Sequence, residues 1–431
     1  MRAVIMAGGK GTRLATINAD IPKPMFQILG KPILEYQIES LVKSGIKDII
    51  LITGHLREVI IDYFGDGKCF GVNISYIEEK EPLGTAGALF YLKEEQDDFV
   101  LIFGDLIFDI DFNRFMNFHK GHGAAITLYG HPNSHPNDSD VIVMNEENRV
   151  TGILNKNTGR NFYYHNFVNA GVYCVNPRAL KSIGEPERID LEKMLITELI
   201  EQDEVYAYKS TEYIRDMGTS DRLKAVFADV KNGIVTDRSL KQKQKAIFLD
   251  RDGTINEYVG FLRNIDDFKL LKSVGKAIAK INTSPYLAIV ATNQPVVARG
   301  EVTYQELDEI HKKMETELGK QGAYLDDIFF CPHHPHKGYE GEIAELKIVC
   351  DCRKPSSGMI MKAAECYNID ISQSWYIGDT TIDIQTGKNV GMKTILVKTG
   401  EAGKDGLFCV KPDYIAEDLL DAVTQILRQI C

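Results

Sequence analysis

Short apolar runs alternate with helix-period segments along almost the whole chain. Residues 2–6 (RAVIM), 48–53 (DIILIT) and 98–104 (DFVLIFG) are runs with little polar interruption. Runs of this length and form fit strands covered on both faces, as in a largely parallel sheet. Between the first two, Leu34, Ile38, Leu41 and Val42 share one face of a helix predicted over 32–44, with Gly45 as its stop. The spacing predicts further helices over 84–95, 190–201 and 220–231. The alternation then lapses in 231–245 (KNGIVTDRSLKQKQK), which is polar, basic and poor in large apolar residues. From Lys245 it resumes, with strands expected at 246–249, 287–292, 326–331, 375–378 and 393–397. The pattern predicts an α/β protein of two domains, 1–232 and 245–431, joined by a linker at 233–244. The first is expected to be Rossmann-like, with a mixed, mostly parallel sheet.

Composition narrows the function. A chain of 431 residues exceeds one ordinary core. Its net charge of -11 argues against a nucleic-acid or membrane-surface partner. No apolar run is long enough to span a bilayer, and the opening MRAVIMAGGKGTRL reads as strand and loop rather than a signal peptide. Eight cysteines do not make a disulfide scaffold in a chain this long. The expectation is a cytoplasmic protein whose partners are small molecules, with a homo-oligomer left open.

Two stretches carry the candidate chemistry. After the first strand, Gly8, Gly9, Gly11 and Thr12 let backbone N–H groups approach phosphate oxygens, and Arg13 adds a planar donor. Lys23 stands between two prolines, and Leu83-Gly84-Thr85 opens a second small-residue loop. Asp105 and Asp216 place carboxylates near strand ends. This ordered set resembles the sugar-phosphate nucleotidylyltransferases, particularly the mannose- and heptose-1-phosphate guanylyltransferase group. The resemblance implies that Gly8 to Arg13 bind the nucleoside triphosphate, with Leu83, Gly84 and Thr85 near the base. It further implies that Arg13 and Lys23 act in catalysis and that Asp105 and Asp216 hold Mg²⁺. Asn169 and Gly171 would line the sugar pocket and Lys156 would meet the sugar phosphate, although Asn155-Lys156-Asn157 replaces the usual Glu-Lys-Pro.

The second stretch is Asp250-Arg251-Asp252-Gly253-Thr254, directly after a buried strand. Two carboxylates at i and i+2 can divide nucleophilic and acid–base work. Thr292-Asn293, Arg353-Lys354 and Gly378-Asp379 with Asp383 follow in order. The set resembles the haloacid-dehalogenase (HAD) phosphatases. That resemblance implies Asp250 as nucleophile, Asp252 as acid and base, and Thr292 and Lys354 as stabilisers of the transferring phosphoryl group. Asn293 and Arg353 would contact substrate, and Asp250, Asp379 and the Asp252 carbonyl would hold a second Mg²⁺, with Asp383 supportive. The spacing between Thr254 and Thr292 leaves room for no large cap.

Cys331-x-His333 and Cys350-x-Cys352 form a tetrahedral Zn²⁺ ligand pattern of the closed, structural kind, with His334 and His336 as rival ligands. The surrounding motifs resemble the D-glycero-D-manno-heptose 1,7-bisphosphate phosphatases. Together the halves imply a bifunctional enzyme that removes a 7-phosphate and then forms GDP-heptose. Two alternatives stand beside it: a mannose-1-phosphate guanylyltransferase fused to a histidinol-phosphate-type phosphatase, and an N-terminal half that only senses nucleotide.

Overall fold

The computed structural model describes residues 1–9 and 21–429. Two compact units form: Met1–His131 with Asp140–Asn155 and Phe167–Lys241, and Gln242–Cys431 with Pro132–Ser139 and Lys156–Asn166.

In the first unit, strand Arg2–Met6 lies between Asp48–Thr53 and Phe99–Phe103, parallel to both. Alternate residues point to opposite faces of a strand. Ala3 and Ile5 therefore enter one core layer with Leu51 and Ile102, while Val4 enters the other with Ile50 and Leu101. Burial on both faces explains why these strands read as apolar runs. Asn73–Glu78 extends the sheet in parallel, and Val168–Val175 joins it antiparallel to Phe99–Phe103. The result is a nine-stranded mixed sheet. Beside it, Leu106–Phe108 pairs antiparallel with Ile214–Asp216.

The helix predicted at 84–95 is instead a 3₁₀ segment, Gly87–Leu92. Gly84 takes φ +79° and bridges to Ile189, which keeps the chain out of helix until Gly87. The polar stretch at 233–244 is more ordered than a tether. It contains helix Ile234–Asp237, and Ile234, Val235 and Leu240 are all buried. These three apolar residues are the ones that composition averaged away.

The second unit is built on a six-stranded, wholly parallel sheet. Its spatial order is Asp327–Cys331, Tyr286–Asn293, Lys245–Leu249, Trp375–Gly378, Lys393–Val397, Tyr414–Ala416. Lys245–Leu249 is thus central, flanked by the strands that end in Asn293 and Gly378. In an open α/β sheet the carboxyl ends of central strands form the crevice where ligands bind. Asp250, Thr292 and Asp379 are delivered to one edge by this topology alone.

Candidate active sites

At the carboxyl end of the second unit's sheet, Lys354 Nζ lies 2.8 Å from Asp250 Oδ1 and 2.7 Å from Asp383 Oδ1. Asp379 and Asp383 are fully buried, and Asp250 and Lys354 nearly so. Carboxylate oxygens of Asp250, Asp379 and Asp383 lie within 4.8 Å of one another. Three neighbouring acids with one ammonium leave the cluster under-neutralised. Burial, then the charge of Asp383, pushes Asp250 up to about 6. Burial, with Asp383 and Asp250, pushes Asp379 up to about 8. Asp379 Oδ1 is buried with no hydrogen-bond partner, while its Oδ2 accepts from the Glu401 N–H at 2.7 Å. An orphaned oxygen in an under-neutralised cluster of hard donors fits a small divalent cation such as Mg²⁺. Close packing shapes this cradle, since a Cβ at Gly253 would fall 2.3 Å from Asp379 Oδ2.

The Asp252 carboxylate stands apart from that cluster. Arg251, fully buried, donates from Nη2 to Asp252 Oδ1 and Oδ2 at 2.9 and 2.8 Å. Asn256 Nδ2 donates to Oδ1 at 3.0 Å and Gln294 Nε2 to Oδ2 at 2.9 Å. Burial alone would raise this acid, but the Arg251 guanidinium together with the Gln294 and Asn256 hydrogen bonds outweighs it and holds Asp252 below the usual carboxylate range. Gln294 Nε2 also donates to Thr292 Oγ1 at 3.0 Å, so one amide spaces both groups. Asn293 exchanges two hydrogen bonds with the Lys354 backbone. The motifs gave a role only to the two aspartates, although they also contain Arg251, Asn256 and Gln294. Their only sequence signal is position, between or just beyond the candidate residues. Asp383, expected to be supportive, stands inside the cluster.

Cys331, His333, Cys350 and Cys352 converge as a second candidate centre. Five of the six pairs among their Sγ and Nδ1 atoms are 3.1–3.6 Å apart, all four lie within 4.8 Å of one another, and the cysteines are free. Sulfurs at about 2.3 Å from a tetrahedral zinc would stand roughly 3.8 Å apart, so the donor set and its spacing suit that ion. His334 is turned elsewhere: its Nδ1 faces the His336 carbonyl at 3.1 Å and its Nε2 meets Arg299 at 3.2 Å. Arg353 Nη1 donates to the His333 carbonyl at 3.1 Å, which ties that arginine to the cysteine loop.

In the first unit, Lys23 Nζ is paired with Asp105, while Asp216 accepts from Arg222 and from the Gly218 N–H. The Met217 N–H donates to the Asp105 carbonyl at 3.1 Å, beside the register pair Asp216–Leu106, so the two acids are neighbours. Both are partly exposed carboxylates already matched with cations, a donor set that suits Mg²⁺ shared with phosphate oxygens. A Cβ on Gly8 would meet Glu79 Oε2 at 2.3 Å and the Gly54 N at 3.3 Å, so a side chain there would have to displace Glu79. Leu83 accepts from the Gly87 and Ile189 N–H groups, and Thr85 Oγ1 accepts from the Leu191 N–H at 2.7 Å. Asn169 Nδ2 donates to Glu192 Oε1 at 2.6 Å and to Tyr173 Oη at 2.8 Å, and Gly171 adopts φ +76°. Glu192, unmarked by any motif, thereby orients the Asn169 amide. Gly9 is exposed, with open space around its Cα. Lys156 is also exposed, in a segment that groups with the second unit. Gly11, Thr12 and Arg13 lie outside the described residues.

Among the described residues, no helix is long and apolar enough to cross a membrane. Residues 2–233 match the Nucleotidyl transferase family and 351–422 the HAD-hydrolase-like family. The chain is 38% identical over 189 residues to the D-glycero-beta-D-manno-heptose-1,7-bisphosphate 7-phosphatase of Haemophilus ducreyi, covering 42% of this chain and 98% of that protein. It is 39% identical over 158 residues to the enzyme of that name from Escherichia coli K12, covering 36% and 80%. Among solved structures, HddC from Yersinia pseudotuberculosis is 25% identical, covering 53% of this chain and 99% of that one, at a TM-score of 0.47. The magnesium and phosphate complex of D,D-heptose 1,7-bisphosphate phosphatase from B. bronchiseptica is 32% identical, covering 43% and 99%, at 0.39. Through residues 2–233 the chain belongs to the nucleotidyl transferase family, and through its HAD-like part to that of the heptose-bisphosphate 7-phosphatases, which makes it a bifunctional transferase and hydrolase.

Proposed function

We propose that the chain makes a nucleotide-activated heptose in two steps. The second unit removes the 7-phosphate of D-glycero-D-manno-heptose 1,7-bisphosphate. The first then joins the resulting heptose 1-phosphate to GMP from GTP and releases pyrophosphate. The observation that carries this reading is the span of 98% of a named 7-phosphatase, in a chain whose other domain belongs to a family of nucleotidyl transferases. The product of one half is a sugar 1-phosphate, the attacking group the other half needs.

In the hydrolase, Asp250 Oδ attacks phosphorus and forms an aspartyl-phosphate, while Asp252, ionised before substrate binds, takes the proton carried by the phosphomonoester monoanion and passes it to the leaving alkoxide. Asp252 then takes a proton from water, which attacks the acyl phosphate and returns Asp250. Lys354 neutralises Asp250 before attack and the phosphoryl oxygens afterwards, with Thr292 as a further donor. Asn293 and Arg353 contact the rest of the substrate. Mg²⁺ held by Asp250, Asp379 and the Asp252 carbonyl would offset phosphate charge. Zn²⁺ held by Cys331, His333, Cys350 and Cys352 is structural and fixes the loop that presents Arg353 and Lys354.

In the transferase, no protein nucleophile is needed, because the sugar phosphate itself attacks the α-phosphorus. The loop from Gly8 to Arg13 cradles the triphosphate, Leu83 to Thr85 face the base, and Lys23 takes phosphate charge. Asp105 and Asp216 would hold Mg²⁺. Asn169 and Gly171 line the sugar pocket.

The test is incubation of the purified chain with heptose bisphosphate, Mg²⁺ and each of the four nucleoside triphosphates. GDP-heptose, phosphate and pyrophosphate are the expected products, with GTP preferred. Hydrolysis of the bisphosphate with no sugar nucleotide from any triphosphate would reject the transferase step. Turnover of histidinol phosphate with the bisphosphate untouched would reject the hydrolase substrate.

A further inference from the structure

Arg222 has no part in the chemistry above, yet it sits on one of the two acids assigned to the transferase metal. Its Nη1 straddles the Asp216 carboxylate, 2.8 Å from Oδ1 and 2.9 Å from Oδ2. Oδ1 also accepts from the Gly218 N–H at 2.8 Å. Three donor contacts therefore use most of the lone-pair directions of this group. Arg222 belongs to the first turn of helix Ser220–Lys231, which Thr219 caps by accepting from the Arg222 N–H. Its backbone is thus fixed, and only the side chain has freedom to leave. The guanidinium is mostly covered, with 19% of the side chain exposed, so little water screens its charge. The neighbouring Asp105 is paired with Lys23 in the same way, so neither acid faces an entering cation uncompensated.

A divalent ion on Asp216 would stand within a few ångströms of that guanidinium and be repelled by it. A nucleoside triphosphate changes the balance, because its phosphate oxygens offer a planar guanidinium an alternative anionic partner. We propose that Arg222 occupies the metal carboxylate of the nucleotide-free transferase, so that the cation binds strongly only together with a nucleoside triphosphate. This rests on the reading of Asp105 and Asp216 as the metal pair. By linkage, the triphosphate and the cation then raise each other's affinity, and Arg222 sets how much.

Mn²⁺ binding to the full chain, followed by electron paramagnetic resonance with and without GTP, tests this. All proteins carry Asp379→Asn, which disables the hydrolase cluster. Arg222→Gln is expected to tighten Mn²⁺ alone by roughly tenfold or more, with Mn²⁺ in the presence of GTP changed far less. Adding Asp216→Asn should erase the gain, and Arg222→Lys, which keeps the charge, should resemble the parent. Unchanged or weaker Mn²⁺ binding in Arg222→Gln would overturn the proposal, as would equal tightening in Arg222→Lys. If Asp216→Asn leaves Mn²⁺ binding with GTP untouched, the metal reading itself falls, and this inference with it.

Discussion

Lys354 and Asp250 meet at 2.8 Å inside the phosphatase unit, both almost wholly buried. The ammonium is held well above its ordinary pKa: burial pulls it down, but Asp250 and Asp383 outweigh burial. A permanent cation beside Asp250 favours the ionised, nucleophilic form that burial otherwise opposes. Asp250→Asn keeps the shape and removes the attacking oxygen anion. Phosphatase activity should fall by about a thousandfold or more, as for loss of a covalent nucleophile, while nucleotidyl transfer from supplied heptose 1-phosphate stays within about twofold. Phosphate release and sugar-nucleotide formation are measured separately on the same preparation. Residual hydrolysis near the parent rate would remove Asp250 from the nucleophile's role.

Local chemistry set what could be read from the sequence. Asp250 and Asp379 directly follow buried strands, so the ends of apolar runs are enough to locate them, and Asp383 lies in the first turn of the helix Thr381–Asn389 that comes next. Arg251 and Gln294 are a different case. Their roles stay hidden until the parallel pairing of Leu249 with Val290 brings the two strand ends together and both side chains reach Asp252. Glu192 is likewise invisible, because its role on Asn169 depends on packing between residues far apart in the chain. The 3₁₀ turn at Gly87 replaced an expected helix for a tertiary reason, the bridge between Gly84 and Ile189.

That bridge supports a second prediction. Gly84 holds φ +79°, and a Cβ there would fall 2.4 Å from the Ile189 carbonyl oxygen. Gly84→Ala must move the loop carrying Leu83 and Thr85, at a cost of roughly 1–3 kcal/mol. The transferase should lose GTP affinity, seen as a raised KM for GTP, and the phosphatase should keep its kcat and KM. An unchanged KM for GTP would place the base and phosphates away from this loop.

Glu212 gives the transferase unit a built-in pH dependence. It is buried and accepts from the Asp111 and Leu240 N–H groups, Tyr129 Oη and Ser210 Oγ. Burial nevertheless dominates and pushes it up to about 7. Between its unfolded value of about 4.5 and about 7, the folded chain binds the extra proton, so stability falls as pH rises. The contribution is fully present below about 4.5 and lost by about 7, amounting to at most about 3 kcal/mol. Urea midpoints of the transferase transition should drop between pH 5 and pH 8, and Glu212→Gln should flatten that drop. An equal drop in the variant would assign the dependence to other groups.

The cysteine loop offers the last prediction. Four donors within 4.8 Å of one another with no disulfide among them leave mutual thiol contacts, or a metal, to hold the loop. The loop ends in Arg353, whose guanidinium donates to the His333 carbonyl, and in Lys354, whose N–H donates to Asn293. Metal binding at Cys331, His333, Cys350 and Cys352 would therefore also set the position of the Lys354 ammonium. Structural zinc contributes folding energy directly. Cys350→Ser should reduce zinc from one equivalent per chain and lower the phosphatase melting temperature by about 10 °C or more. It should also slow phosphate release while leaving nucleotidyl transfer unchanged. A native chain with no bound zinc by elemental analysis, and a melting temperature indifferent to strong chelators, would leave the four residues as a packed thiol cluster with no metal to organise.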